Sequence, residues 1–267
     1  MNKQFDLIVI CDSKQGHDVI KHVAGTKRTI KTAFISTAFK TKTTRDFLNV
    51  EYIKDEVVII DYKNRLFGCY LKGGARLFCT HLVIATGLNY APLVINNKTM
   101  PNVFNTTDEI TKLAKNMQAV VIGNNDSDVK FALSVAKKYK YVYFCTEAFT
   151  TNITSANMKK LSDTENLVVL PNASITKFST TDGTLSSIEL SNYSTLTCSA
   201  VFAKTPAKPA TSFLPNNIMV KDCDGYLLTS TTLESTIIPK CYATGNCTRK
   251  STKQMNLAMY ESILNDF

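Results

Sequence analysis

Eight cysteines, at positions 11, 69, 79, 145, 198, 223, 241 and 247, are the most reactive side chains in this sequence. No two stand as Cys-x-x-Cys, and with only His17, His22 and His81 beside them no zinc-ligand spacing occurs, which predicts reduced thiols and no metal site. A second kind of chemistry is phosphate binding, which needs a tight turn leading from a strand into a helix. Two stretches have that order. Residues 6–10 read as a buried strand, followed by a turn over 11–16, a helix over 17–23 and a strand over 32–35. Residues 119–122 read as a strand, 123–127 as a turn, 129–139 as a helix with apolar residues at 129, 132, 133 and 136, and 141–145 as a strand. Each opening has the order of a mononucleotide-binding unit.

The elements that must position these turns follow from the same patterning. The runs 57–60, 66–71 and 76–84, separated by Asp61-Tyr62-Lys63-Asn64 and Gly73-Gly74, predict a β meander returning to a sheet strand that ends in Ala85-Thr86-Gly87. Thr107-Asp108-Glu109 predicts a helix start before residues 110–115. Further strands are expected at 167–170 and 200–203, with a hairpin around Thr181-Asp182-Gly183. Short strands at 226–228 and 241–244 precede a last helix from Thr252, with Leu257, Tyr260, Ile263 and Leu264 as its buried stripe.

Composition narrows the class. The chain has 267 residues, 44% hydrophobic and 20% charged, with 10 Gly and 7 Pro, which excludes collagen, coiled coil and wholesale disorder. No apolar run approaches the roughly 18 residues of a membrane span, and the first ten residues lack the pattern of a secretion signal, so a cytoplasmic protein is expected. Lys plus Arg (31) exceed Asp plus Glu (22) by 9, but the excess is dispersed and lacks interleaved aromatics, so it reads as a solvated surface rather than a nucleic-acid module.

Four stretches in order carry a family resemblance. Asp224-Gly225-Tyr226, leading through Thr236-Ile237-Ile238-Pro239 to Cys241-Tyr242-Ala243-Thr244-Gly245-Asn246 with Lys253-Gln254 after it, is similar to a D-G-Y … F-A-A-G-D … R-Q pattern. Val121-Ile122-Gly123-Asn124-Asn125-Asp126-Ser127 is similar to V-G-G-G-D-S, Ile84-Ala85-Thr86-Gly87 to an A-T-G crossover strand, and residues 202–214 to V-F-x-x-I-G-x-x-P-x-T-x-F-L. The chain thus resembles, nearly end to end, the thioredoxin-reductase-like branch of the pyridine-nucleotide-disulfide oxidoreductases, in a divergent and shortened form.

The resemblance implies an α/β fold of two Rossmann-like domains, each with a small β meander. A discontinuous FAD-binding-type domain would span 1–106 plus 213–267, and an NAD(P)-binding-type domain 107–212. It implies FAD and NADH or NADPH as cofactors, a small redox protein or another protein as partner, and a homodimer. The cofactor-binding positions it assigns are Gly16, Ala85, Thr86, Gly87, Gly123, Asn125, Asp126, Ser127, Gly245, Asn246, Lys253 and Gln254. Cys11 and Cys247 are the candidate redox thiols, because both of their turns would converge on the cofactor edge.

Departures from the family pattern point the other way. The three glycine positions of the first turn read Cys11, Ser13 and Gly16, so side chains crowd the pyrophosphate path and Asp12 adds a repelling charge. Those of the second read Gly123, Asn125 and Asp128; Asn tolerates positive φ, but Asp128 would occupy the anion site itself. Thr146-Glu147-Ala148 replaces the basic residues that grip a 2′-phosphate, so NADPH selectivity is not supported. The redox Cys-x-x-Cys before the second turn is missing, because no cysteine lies between Cys79 and Cys145, and the family's loop and helix after the first unit's second strand are deleted, the chain reaching the β meander within some twenty residues of Ser36. Two readings follow: a divergent flavin-dependent NAD(P)H oxidoreductase, or an inactive pseudo-reductase that has lost FAD and NAD(P) binding and serves as a binding or regulatory module. A nucleic-acid adaptor using the basic excess is a third, distant reading.

Overall fold

The computed structural model describes residues 2–37, 47–105, 117–146 and 152–267. In chain order the first elements are β1 (Asn2–Cys11), α1 (Lys14–Thr26), β2 (Thr32–Ser36), β3 (Val50–Lys54), β4 (Val57–Lys63), β5 (Leu66–Leu71) and β6 (Arg76–Ala85). Then come β7 (Leu88–Tyr90), β8 (Val94–Ile95), β9 (Lys98–Thr99), β10 (Val103–Phe104), β11 (Gln118–Ile122), α2 (Asp126–Ala136) and β12 (Tyr141–Thr146). The remainder is α3 (Ser155–Ser162), β13 (Leu167–Pro171), β14 (Ile175–Thr181), β15 (Thr184–Leu190), β16 (Thr195–Thr197), β17 (Ala200–Ala203), β18 (Ala207–Pro209), β19 (Cys241–Ala243) and α4 (Lys253–Asn265). The expected helix start at Thr107-Asp108-Glu109 lies outside the described residues, as do Glu147 and Ala148.

The chain divides into two compact units, Met1–Asn89 with Ala207–Phe267, and Tyr90–Pro206. The divisions at 106 and 213 expected from sequence therefore move to 89 and 207. Pairing explains the first shift: Val103 and Phe104 form β10, which pairs in parallel with Val201 and Phe202 of β17 and so belongs to the second unit.

The first unit is built on a seven-stranded sheet in the order β3-β2-β1-β6-β5-β4, with β19 also on β6. β6 is long enough to serve two neighbours along one edge: its first half pairs antiparallel with β5, and Leu82–Ile84 pairs in parallel with Cys241–Ala243. The β4-β5-β6 meander thus grows out of the same strand that completes the parallel sheet. Side chains of β1 alternate between two buried faces, as the two-residue strand period requires. Leu7, Val9 and Cys11 pack with Val19, Ile20 and Val23 of α1 and Met259, Tyr260 and Ile263 of α4. Ile8 and Ile10 pack on the other face with the meander and with Leu214, Ile218, Met219 and Leu227, a cluster that Phe5, earlier in the strand, joins out of that alternation.

Two sequence expectations are corrected here. The buried stripe of α4 holds the expected Tyr260 and Ile263, with Leu264 packed against the same cluster, but Met259 takes the place expected for Leu257, which is exposed. Residues 226–228 are not a strand: Leu227 makes only isolated bridges, to Lys221 and Thr248. β3 and α3 were not foreseen.

The second unit has a five-stranded parallel sheet, β10-β17-β11-β12-β13. Ala119 and Val121 face α2 and α3. Val120 faces the other way, toward the three-stranded antiparallel sheet β14-β15-β16, where it packs with Leu185, Ile188 and Leu190. The hairpin at Thr181-Asp182-Gly183 joins β14 to β15, with Asp182 and Gly183 at φ 50° and 75°. Both units therefore carry a parallel sheet with helices on one face and a small antiparallel meander, the α/β architecture expected from the sequence. No helix of the described residues is long and apolar enough to cross a membrane.

Candidate nucleotide turns

In the first unit the turn from β1 to α1 is filled by its own side chains. Cys11 is 1% exposed. Its sulfur accepts the Ser13 N–H at 3.2 Å and its thiol donates to the Ser13 carbonyl at 2.8 Å. Gly16 is a glycine because of that packing: a Cβ there would lie 2.1 Å from Cys11 Sγ and 2.4 Å from Cys11 Cβ. Ser13 donates to the Ala85 carbonyl at 2.7 Å. Asp12 turns outward, and its carboxylate accepts from Ser36 Oγ (2.8 Å) and from Thr37 N–H (2.9 Å) and Oγ1 (3.0 Å).

The carboxyl ends of two further strands, β6 and β19, meet this turn. Ala85 is buried, Thr86 donates to the Ala210 carbonyl at 2.7 Å, and Gly87, at φ 71°, would carry a Cβ 3.6 Å from Ser13 Cβ. Gly245, at φ 79°, uses a left-handed conformation that favours glycine, and the Gln15 side chain lies on it, 3.2 Å from where a Cβ would be. The preceding Thr244 is tied to β6 through its N–H to the Ile84 carbonyl at 2.9 Å, and its hydroxyl joins Ser251 and Asn256. Asn246 is exposed, and so are Lys253 and Gln254 in the first turn of α4, which Thr252 caps by accepting the Met255 N–H.

The two candidate redox thiols lie in different core clusters, Cys11 on the α1 and α4 side of the sheet and Cys247 on the side of Leu214 and Leu227. Cys11 and Cys247 are both buried, and burial first of all pushes each thiol up to about 11, against the opposing pull of backbone hydrogen bonds. Near neutral pH both are therefore protonated, and the thiolate is the reactive form. Cys145 and Cys198 are raised to about 12 by burial, and Cys241 higher still for the same reason. Cys223 is the exposed one of the eight. A thiol reagent such as Ellman's is expected to label one cysteine rapidly in the native protein and eight after denaturation. The Cys223→Ser variant should lose the fast phase, and a surviving fast phase would mean that one of the seven buried thiols is accessible.

The second turn, from β11 to α2, is self-satisfied as well. Asn125 is not in the positive-φ region that its residue type allows: at φ −143° it is an extended N-cap whose side chain accepts from Ser127 N–H (2.9 Å) and Asp128 N–H (3.1 Å). Asp128, 5% exposed, accepts the Asn124 N–H on Oδ2 at 3.0 Å. Gly123 is pressed against it, since a Cβ there would lie 2.3 Å from Asp128 Cβ. Gly123 donates its own N–H to the Cys145 carbonyl at 3.1 Å. Lys204, just after β17, reaches Asp128 Oδ1 at 2.9 Å and Ser127 Oγ at 2.6 Å. Asp126 accepts from Thr154 N–H and Oγ1, and hydrogen bonds from Asn157 and then Thr154 hold its carboxyl below the usual range. A shallow recess lined by Lys137, Lys160, Asp163 and Thr164 among others lies toward the far end of α2 and is no part of this turn.

The structure thus gathers Gly16, Ala85, Thr86, Gly87 and Gly245 about one turn in the first unit. Gly123, Asn125, Asp126 and Ser127 form the other turn in the second. Asn246, Lys253 and Gln254 lie on the surface beyond Gly245. Sequence reasoning missed Gln15 and Lys204. Gln15 carried no signal beyond its place in the turn, and Lys204 becomes readable only when β17 is known to lie beside β11, where Ile122 pairs with Ala203.

The FAD and NAD(P)H implied by the family pattern can be tested against these turns. A bound pyrophosphate needs backbone N–H groups open to it at the helix start. In the first turn Cys11 Sγ takes the Ser13 N–H and Gln15 covers Gly245; in the second, Asn125 and Asp128 take three. The residues present do not fit the groups in the family's manner.

Comparisons with known proteins agree on the scaffold. No curated protein matches. Among solved structures, thioredoxin reductase from T. acidophilum is 16% identical, with 98% of each chain covered and a TM-score of 0.68. That from Lactococcus lactis is 15% identical, covering 98% of this chain and 100% of the other, at 0.66. The putative thioredoxin reductase TrxB of Bacillus anthracis is 15% identical, with 98% of each covered, at 0.61. The model of the pyridine nucleotide-disulphide oxidoreductase family matches residues 10–262, and with both units built as that family builds them, the chain belongs to it.

Proposed function

We propose that the chain is a pseudo-reductase: a thioredoxin-reductase-like scaffold that has given up flavin chemistry and serves as a binding or regulatory module. The observation that carries this reading is the sulfur of Cys11, which sits on Gly16 and takes the Ser13 N–H where a phosphate-binding turn leaves glycine and open donors. The buried, protonated state of Cys11 and Cys247 and the lack of a Cys-x-x-Cys agree with it, because neither thiol is poised to pass electrons onward. A protein partner, self-association as a dimer and a cytoplasmic location belong to the same proposal.

The second reading is a divergent flavin-dependent NAD(P)H oxidoreductase. Gly87 and Gly245 favour it, since both keep the left-handed backbone at the sheet's carboxyl edge. In that reading FAD would carry the electrons and NADH or NADPH would supply them.

The absorption spectrum of the purified protein decides between the two. After incubation with excess FAD and gel filtration, the pseudo-reductase reading expects no flavin bands eluting with a folded protein. Bands that co-elute and bleach anaerobically with NADH or NADPH would establish the oxidoreductase instead.

A further inference from the structure

Asp128 differs from the other groups that fill the turns in bringing a charge of its own. It lies in the first turn of α2, with one oxygen on the Asn124 N–H and the other on the Lys204 ammonium, and Lys204 is held in turn by Ser127 Oγ. A helix start and a lysine are the two partners an anionic phosphate would seek, and both are already engaged by a buried carboxylate. Asn125 removes two further N–H groups from the reach of a ligand. The contact is also steric, because the Asp128 side chain covers the open side of Gly123, the one glycine kept in this turn.

We infer that the second unit does not take a pyridine dinucleotide, because the Asp128 carboxylate, held by Lys204, stands as an internal anion in place of the ligand's phosphates. Asp128 is then a specificity-determining residue of negative sign, excluding a second anion both by charge and by volume. The inference deepens the pseudo-reductase reading and rests on it, extending the filled turn from the flavin-type unit to the nucleotide-type unit.

The test compares the full chain with Asp128→Ala and Asp128→Asn by isothermal titration with NADH and, separately, NADPH. Circular dichroism and thermal melting establish that each variant is folded. Alanine removes the carboxylate and uncovers Gly123; asparagine keeps the shape and an acceptor for the Asn124 N–H but releases Lys204. The unaltered chain is expected to show no saturable binding. Asp128→Ala should show saturable binding, with a Kd at least about tenfold below the highest ligand concentration at which the unaltered chain shows none. Asp128→Asn should gain less, and it carries the test if the alanine variant does not fold. Saturable binding by the unaltered chain overturns the inference, and so does a set of folded variants that bind no better than it. The flavin spectrum separates the two claims. A chain that holds FAD but binds NADH only after Asp128 is replaced sinks the pseudo-reductase reading alone. A flavin-free chain that binds NADH unaltered sinks this inference alone.

Discussion

Gly16→Ala is expected to destabilise the protein by about 3 kcal/mol, at the upper end of the usual range for overpacking. Alanine is the better helix former by about 1 kcal/mol, so at an exposed helical site the same change would stabilise. The clash decides the sign. The new methyl would lie 2.1 Å from Cys11 Sγ and 2.4 Å from Cys11 Cβ, with Ala85 Cβ at 3.3 Å on another side. The sulfur can rotate away, but a Cβ moves only with its backbone, and Cys11 is locked between α1 and β6 by register with Ala85. The double variant Cys11→Gly/Gly16→Ala removes both clashing atoms. Urea denaturation should show it more stable than the sum of the two single changes by about 2 kcal/mol, a coupling within the range seen for residues in contact. Additive effects would mean that Cys11 does not occupy the turn, and the main support for the pseudo-reductase reading would go with it.

Phe202→Ala should have the largest effect in the second unit, about 3–5 kcal/mol, as for other large buried aromatics. Phe202 is fully buried on β17, and its ring meets Phe104 at 5.5 Å and Phe131 and Tyr139 at 5.7 Å each. Three aromatic neighbours leave a hole that cannot close by one side chain shifting. Phe202→Leu keeps most of the volume and should cost about half as much or less. Tyr193→Ala, at a residue 87% exposed, should stay within about 0.5 kcal/mol and serves as the control. Equal denaturation midpoints for Phe202→Ala and Tyr193→Ala would show that the aromatic group is not a packed core.

The strands and turns that build each unit were legible where the signal was short-range. The run Leu7-Ile8-Val9-Ile10 needs cover on both faces, and the structure supplies it from α1 and α4 on one side and the segment through Leu214 and Leu227 on the other. Leu227 itself was misread, because an apolar triplet looks the same whether it pairs as a strand or packs from an irregular segment. The stripe of α4 was right at Tyr260 and Ile263 and wrong at one member by the same ambiguity: Leu257 and Met259 both suit a helical face, and only the packing against α1 settles that Met259 goes in. The move of the division from 106 to 89 turned on β10, two residues whose partner strand begins nearly a hundred positions later.

What the sequence by itself determined is the set of local facts: two strand-turn-helix openings, the replacement of turn glycines by Cys11, Ser13, Asn125 and Asp128, and the missing Cys-x-x-Cys. Each depends on residues a few positions apart, whose spacing is the geometry. The tertiary structure alone decided what those replacements do. Gln15 meets Gly245 only because β19 joins β6 beside β1, and Lys204 reaches Ser127, 77 positions away, only because β17 lies next to β11. A buried charge needs a partner, but the chain order does not say which strand will bring it; the order of strands in the sheet does.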